Sequence, residues 1–219
     1  IIESDPARRF VVVSAPGKRY SEDIKVTDLL YACYKESVEK GSCAETFQKI
    51  RRRFHTIVAE LGMESFDIES ILNETEKEIE SRRSADFTAS RGEYLNARIV
   101  AARLGWKFVD AKDIIFFNAR GQFDEARSYP LIEKTLSACG HAVIPGFYGT
   151  DADGNIKTFS RGGSDISGSI VARAMNADVY ENWTDVSGFL ACDPRIVEKP
   201  EKLGVISFKE LRELSYMGA

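Results

Sequence analysis

Histidine and cysteine are scarce in this sequence. Only two histidines occur in 219 residues, and His55 has no second histidine at ligand spacing, which leaves no metal site there. The four cysteines (Cys33, Cys43, Cys139 and Cys192) are scattered without a CxxC pair. That argues against a zinc or disulfide framework and suits a reduced, cytoplasmic protein. No apolar run approaches membrane-spanning length, so no membrane partner is expected. The chain opens Ile1-Ile2-Glu3-Ser4-Asp5, without methionine and without the basic and apolar regions of a signal peptide, so this start is expected not to be the natural one. A basic field is missing as well: the net charge is −4, which excludes a general nucleic-acid binder. There is no Gly-Lys-Ser/Thr of a Walker A loop, no GxGxxG, no Ser-His-Asp set and no His-Arg-Asp of a protein kinase. Asp151-Ala152-Asp153-Gly154 starts like a calcium loop, but position twelve is Gly162 rather than glutamate, so it reads as a hairpin turn.

What is present is ordinary globular material, 43% hydrophobic and 29% charged, with no repeat or low-complexity linker. The central stretch runs from Ile156 to Gly168. Ile156 to Phe159 reads as a strand, Arg161-Gly162-Gly163 as a tight loop, and Ile166, Ile170, Val171 and Ala174 keep helical spacing. Such a strand, glycine loop and helix aims free backbone N–H groups and a positive dipole end at one point, which suits an anion. Ser164 is the expected N-cap, with Asp165 in the first turn. A capped helix after a glycine turn is the plainer alternative.

In chain order, Arg9 to Val13 reads as a parallel strand covered on both faces. Ser14-Ala15-Pro16-Gly17-Lys18 follows, either a second anion-binding turn or a simple Pro-Gly turn. Thr27 or Asp28 is the expected cap of the next helix. Residues 26 to 104 read as almost wholly helical, with stripes at Phe47, Ile50, Phe54, Ile57, Val58 and Leu61, and at Ile68, Ile71, Leu72 and Ile79. Arg51-Arg52-Arg53 reads as a solvated helix face. Leu95, Ile99, Ala102 and Leu104 continue a helix to Gly105, with Glu93 near its start as a surface acid or a site acid. Strands are expected at 107–109, 114–117, 141–144 and 178–183, and helices at 131–138 and after Ser207, the latter burying Leu211 and Leu214. Alternating strands and helices predict an α/β domain with a mostly parallel sheet.

An arginine fork such as Arg161 beside a carboxylate such as Glu93 or Asp165 is the pairing that holds an amino acid by its two charged ends. A carboxylate acceptor needs no general base, because its pKa of about 4 leaves it ionised at neutral pH. Catalysis then reduces to alignment and charge neutralisation.

Taken together, Phe159-Ser-Arg-Gly-Gly-Ser-Asp165, Thr184-Asp-Val-Ser-Gly188 and Asp193-Pro-Arg-Ile-Val197 resemble aspartate kinases of the amino acid kinase superfamily. Val11-Val-Val-Ser-Ala15, Ser90-Arg-Gly-Glu93 and Ile206-Ser-Phe-Lys-Glu210 match in the same order. The resemblance implies a three-layer αβα sandwich, one catalytic domain over 1–219, and phosphoryl transfer from ATP to L-aspartate with Mg2+. It implies Arg161 on the substrate α-carboxylate, Glu93 on its amino group, and Thr27 and Ser14 in the substrate site. Gly162, Gly163, Ser164 and Asp165 would form the catalytic loop. Thr184, Asp185, Leu190 and Arg195 would contact ATP, although the family often has tyrosine where Leu190 stands. A homo-oligomer is expected for the full-length enzyme. The family's Lys-Phe-Gly-Gly strand would precede Ile1, and regulatory ACT domains would follow Ala219. These 219 residues are therefore expected to be a trimmed catalytic domain, inactive by itself. Kinases of the same superfamily acting on glutamate, N-acetylglutamate, UMP or carbamate, and a binding module without catalysis, are the alternatives.

Overall fold

A computed structural model describes all residues except 83, 161, 185–187, 189, 193–195 and 217–219, with no side-chain description at 82 and 214–216. It divides into two compact units, Ile1–Tyr180 and Glu181–Ala219.

The first unit is built on a parallel sheet. Strand β1 (Phe10–Val13) pairs with β3 (Ala142–Pro145), which pairs on its other side with β2 (Lys107–Phe108). Alternation along the strands decides the layers. Phe10, Val12, Ala142 and Ile144 pack with Ile132 and Leu136 of α5 (Glu125–Cys139) and with Ile170 and Val171 of α6 (Gly163–Ala174). Val11, Val13 and Val143 face the opposite way, onto Ala97 and Ala101 of α4 (Ala85–Leu104). Helices thus cover both faces, as the αβα expectation requires. Strands β4 (Tyr148–Thr150) and β5 (Ile156–Thr158) form the antiparallel hairpin expected around Asp151 to Asn155.

Among the described residues, 26–104 carry four helices. Helices α1 (Val26–Lys40), α2 (Ala44–Glu60) and α3 (Ile68–Arg82) precede α4. Their second core joins Leu30, Phe47, Ile50, Phe54, Leu72, Ile79, Leu95 and Ile99, all fully buried. Helix α4 lies between this core and the sheet, so residues 87 to 93 are buried on every side. That explains its lack of a clean apolar stripe: Ala102 is exposed, and Ala97 and Ala101 take the sheet-facing positions. The buried hydroxyls are satisfied locally, Thr88 Oγ1 donating to Ser84 O at 2.8 Å and Ser90 Oγ to Phe87 O at 2.6 Å.

Four other expectations are corrected. Helix α1 starts at Val26 with Lys25 as its N-cap and no side-chain cap bond, so neither Thr27 nor Asp28 caps it. The arginine run is not one solvated face, because consecutive helical residues point about 100° apart. Arg52 is exposed, Arg51 pairs with Glu76 at 2.7 Å, and Arg53 is buried on Asp23. Residues 114–117 give only isolated bridges, Phe116 to Thr150 and Phe117 to Phe123. Residues 178–183 form no strand; Val179, Tyr180 and Trp183 are 74%, 45% and 51% exposed, so no core face takes up their apolar side chains.

In the second unit, Leu190 and Lys202 form an isolated antiparallel bridge, and α7 (Phe208–Tyr216) closes the described chain. Its start is a capping box: Glu210 N–H donates to Ser207 Oγ at 3.3 Å, and Ser207 N–H donates to Glu210 Oε2 at 2.7 Å. Ser207 is therefore the cap that the sequence predicts. The Leu214 side chain lies outside the described residues.

Candidate active site

The carboxyl ends of β1 and β3 and the amino end of α6 meet at one edge of the sheet. Gly146 N–H donates to Val13 O at 2.9 Å, tying the two strand ends together. Gly146 also lies against α6: a Cβ there would sit 2.8 Å from Ser164 Cα, Cβ and Oγ. Phe147 adopts φ 79°, and a Cβ on Gly163 would meet its ring at 2.4 Å. Ser167 Oγ fastens the corner, accepting from Phe147 N–H at 3.0 Å and donating to Gly163 O at 2.8 Å. Open α/β sheets place ligands at this end.

Helix α6 starts differently from the expectation. Its N-cap is Gly162 at φ 55°, a left-handed conformation that favours glycine, and no side chain caps it. Ser164 therefore stands inside the first turn. Among the described residues no side chain caps the first-turn N–H groups, and an anion suits them. Asp165 is exposed in that turn, and its backbone carbonyl accepts from Tyr180 OH at 3.3 Å. The Tyr180 ring covers Gly168, where a Cβ would meet its oxygen at 2.4 Å.

Glu93 comes to the same edge from α4. It is 6% exposed, and its Oε2 is buried without a hydrogen-bond partner. Burial pushes its carboxyl up to about 7; its own backbone N–H, the Ala15 N–H and the Arg91 charge pull the other way. The approach of α4 to the Ser14–Ala15 turn depends on Gly92, because a Cβ there would meet Ala15 Cβ at 2.8 Å and Val26 Cγ1 at 3.4 Å. Ser14 follows β1 directly, and its carbonyl accepts from Asn96 Nδ2 at 2.7 Å. Thr27 is half-buried in the first turn of α1, beside the Val26 that touches Gly92.

Behind Glu93, the buried Arg91 guanidinium lies over Phe87, Tyr94 and Tyr148 at 4.3, 4.6 and 5.3 Å. Tyr148 OH donates to buried Asp110 at 2.7 Å.

The structure thus gathers Ser14, Thr27, Glu93 and the Gly162–Asp165 turn around one sheet edge. Arg161, Asp185 and Arg195 lie outside the described residues. Thr184 is exposed and Leu190 half-buried in the second unit. Sequence reasoning missed Asn96, Ser167, Tyr180 and the structural part of Gly92 and Gly146. Only the glycines carried a signal, as small residues next to motifs. Among the described residues no three His, Cys, Asp or Glu side chains converge on a metal site, and no helix is long and apolar enough to cross a membrane.

This architecture is that of an α/β domain with helices on both faces of a parallel sheet, and with a glycine-started helix and a buried carboxylate near the carboxyl end of that sheet. The chain belongs to the amino acid kinase family, whose pattern it matches over residues 3–219. It is 39% identical to aspartokinase 3 of Bacillus subtilis, over 100% of this chain and 51% of that protein. It superposes on the Clostridium acetobutylicum aspartate kinase with a TM-score of 0.93 at 50% identity, covering 100% of this chain and 50% of the other. The E. coli aspartokinase III structure in complex with aspartate and ADP gives a TM-score of 0.77 at 26% identity, over 98% of this chain and 51% of the other. The chain spans about half the length of these relatives. The resemblance to aspartate kinases read from the motifs is borne out.

Proposed function

We propose that this chain is the catalytic part of an aspartate kinase. It would move the ATP γ-phosphoryl group to the β-carboxylate of L-aspartate, giving 4-phospho-L-aspartate for lysine, threonine and methionine synthesis in the cytoplasm. The observation that carries this reading is Glu93, a buried carboxylate with an unpartnered oxygen beside the Ser14–Ala15 turn. A buried acid of this kind is complementary to a substrate ammonium group. The relatives' names narrow the amino acid to aspartate.

In this reading Glu93 holds the ammonium group and Arg161 the α-carboxylate, with Ser14 and Thr27 completing the substrate side. Gly162, Gly163 and Ser164 would present backbone N–H groups to phosphoryl oxygens at the start of α6. The β-carboxylate attacks as an ionised nucleophile, so the residues here need only align it and stabilise charge. Thr184, Asp185, Leu190 and Arg195 are assigned to ATP. Mg2+, which takes phosphate and water oxygens plus one or two carboxylates, would neutralise the phosphates, and exposed Asp165 is a carboxylate of the type it accepts. The family match through both units, 3–219, supports reading them as parts of one catalytic domain, and the full-length enzyme is proposed to be a homo-oligomer.

Glu93 also bears on the alternatives, because an N-acetylated substrate brings no positive charge to it. Calorimetry of L-aspartate and of succinate, which lacks the amino group, on the wild type and Glu93→Gln tests the assignment. The variant is expected to lose aspartate affinity, keep nucleotide affinity and close the gap between the two acids. An undiminished preference for aspartate would remove Glu93 from the substrate site.

A further inference from the structure

The segment between β1 and α1, residues 14–25, has no helix or strand, yet Ser14 begins it and Thr27 stands just beyond its end. Local capping does not hold it, since Lys25 makes no side-chain cap bond to α1. Residues 17–22 are exposed, and a cavity of about 260 Å³ opens beside them, lined in part by Ile24, Leu29, Lys49 and Thr56. Apolar packing is therefore thin here.

What crosses the gap is a guanidinium from α2. Arg53 is 8% exposed, although it sits in a run of three arginines. Its Nη1 donates to Asp23 Oδ2 at 2.7 Å, and its Nη2 donates to Gly17 O at 2.5 Å. One planar fork thus bonds both the start and the end of the loop. Arg19 closes the other side of Asp23, its Nε donating to Oδ2 and its Nη2 to Oδ1, each at 2.8 Å, and its backbone N–H to Oδ2 at 3.0 Å. Asp23, 9% exposed, is held by two arginines.

We propose that Arg53, Asp23 and Arg19 form a clamp that positions the β1–α1 loop, and through it Ser14 and Thr27, for the amino-acid substrate. The inference rests on the assignment of Ser14 and Thr27 to that substrate. These are positioning residues: none of them touches the reacting atoms. The clamp ties substrate affinity to the helical layer, because α2 supplies the fork while the sheet supplies Ser14. A fork rather than a point charge is required, since Asp23 and the Gly17 carbonyl are bonded at once.

The test uses the full-length natural protein with Arg53→Met, Arg53→Lys and Arg19→Met. Arg19, with a side chain 48% exposed, can be replaced without opening the core, which guards against a variant that fails to fold. Hydrogen exchange of amides 17–25 should speed up in Arg53→Met and Arg19→Met while β1 and β3 keep their protection. The KM for L-aspartate should rise roughly tenfold or more while that for ATP stays within about twofold, since small misplacements of substrate-positioning groups are costly. Arg53→Lys should fall between wild type and Arg53→Met. Unchanged exchange in the loop would overturn the clamp. Faster exchange with an unchanged aspartate KM, or equal losses for both substrates, would overturn its positioning role. A wild-type protein that binds no aspartate would instead overturn the substrate assignment, and the exchange data would still decide the clamp.

Discussion

Glu93 shows how one residue couples stability to ligand binding. Its carboxyl is raised to about 7 by burial, so near neutrality the free protein keeps a substantial protonated fraction. An arriving ammonium group favours the ionised form. Aspartate binding at pH 6.5 is therefore expected to release protons. Calorimetry in buffers of different ionisation enthalpy should show a buffer-dependent heat for the wild type and none for Glu93→Gln. The stability consequence follows from the same raised pKa. The folded protein binds this proton more tightly than the unfolded chain does, so the cost of the buried charge is absent at pH 4, grows as pH rises towards 7, and is complete above it. Glu93→Gln should then stabilise the fold at pH 8 by on the order of a few kcal/mol, read from denaturant unfolding, and leave its stability nearly unchanged at pH 4. Equal effects at both pH values would mean that the carboxyl is not desolvated. For Arg161, assigned to the α-carboxylate, lysine keeps the charge and loses the fork. Arg161→Lys should weaken aspartate use by about 1.5–3 kcal/mol while sparing ATP, measured by steady-state kinetics of the full-length protein.

At the scale of elements, two glycines hold the site together by letting backbones approach. Gly92 lets α4 press against Ala15 and α1, and Gly146 lets the end of β3 press against the start of α6. Alanine at position 92 would gain about 1 kcal/mol of helix propensity. It would also drive a methyl group to within 2.8 Å of Ala15 Cβ. Overpacking of this kind costs about 1–3 kcal/mol. Gly92→Ala is therefore expected to lower the melting temperature slightly and aspartate affinity clearly, because the Ser14–Ala15 turn must give way. Gly146→Ala meets backbone and side-chain atoms of Ser164 together and should be the more destabilising of the two. Denaturant unfolding of both variants ranks them; a neutral Gly146→Ala would show that α6 can slide away from β3.

At the scale of the molecule, the layers divide the labour. The sheet carries the turn into α6 proposed to take phosphoryl oxygens, α4 brings a buried carboxylate to the same end, and α2 bonds the loop between Ser14 and Thr27 through Arg53. The relatives are about twice as long as this chain, and we propose that a lysine for the transferred phosphoryl group belongs to the length that residues 1–219 do not span. Residues 1–219 expressed alone are expected to unfold cooperatively yet show little aspartate-dependent ADP release. The longer natural protein should restore it. Losing one preorganised charge costs about 10²–10³ in rate. A coupled ADP assay on both lengths checks this, and full turnover by the shorter chain would move the catalytic charge into residues 1–219.

Periodicity and local chemistry determined much of this protein directly. The helical run from 26 to 104, the valine-rich parallel strand at β1, the Asp151–Asn155 hairpin and the Ser207 capping box all depend on neighbours a few residues apart, so the sequence displays them. The motifs likewise displayed the family. The tertiary structure decided what depends on distant partners. Glu93 reads equally well as a surface acid until α4 is placed between two cores. Arg53 reads as solvent-facing until Asp23, 30 residues away, is folded onto it. Residues 178–183 read as a strand from their composition, yet among the described residues no strand pairs with them. A strand needs a partner and a buried charge needs a counter-charge, and both are supplied by parts of the chain that no local pattern names.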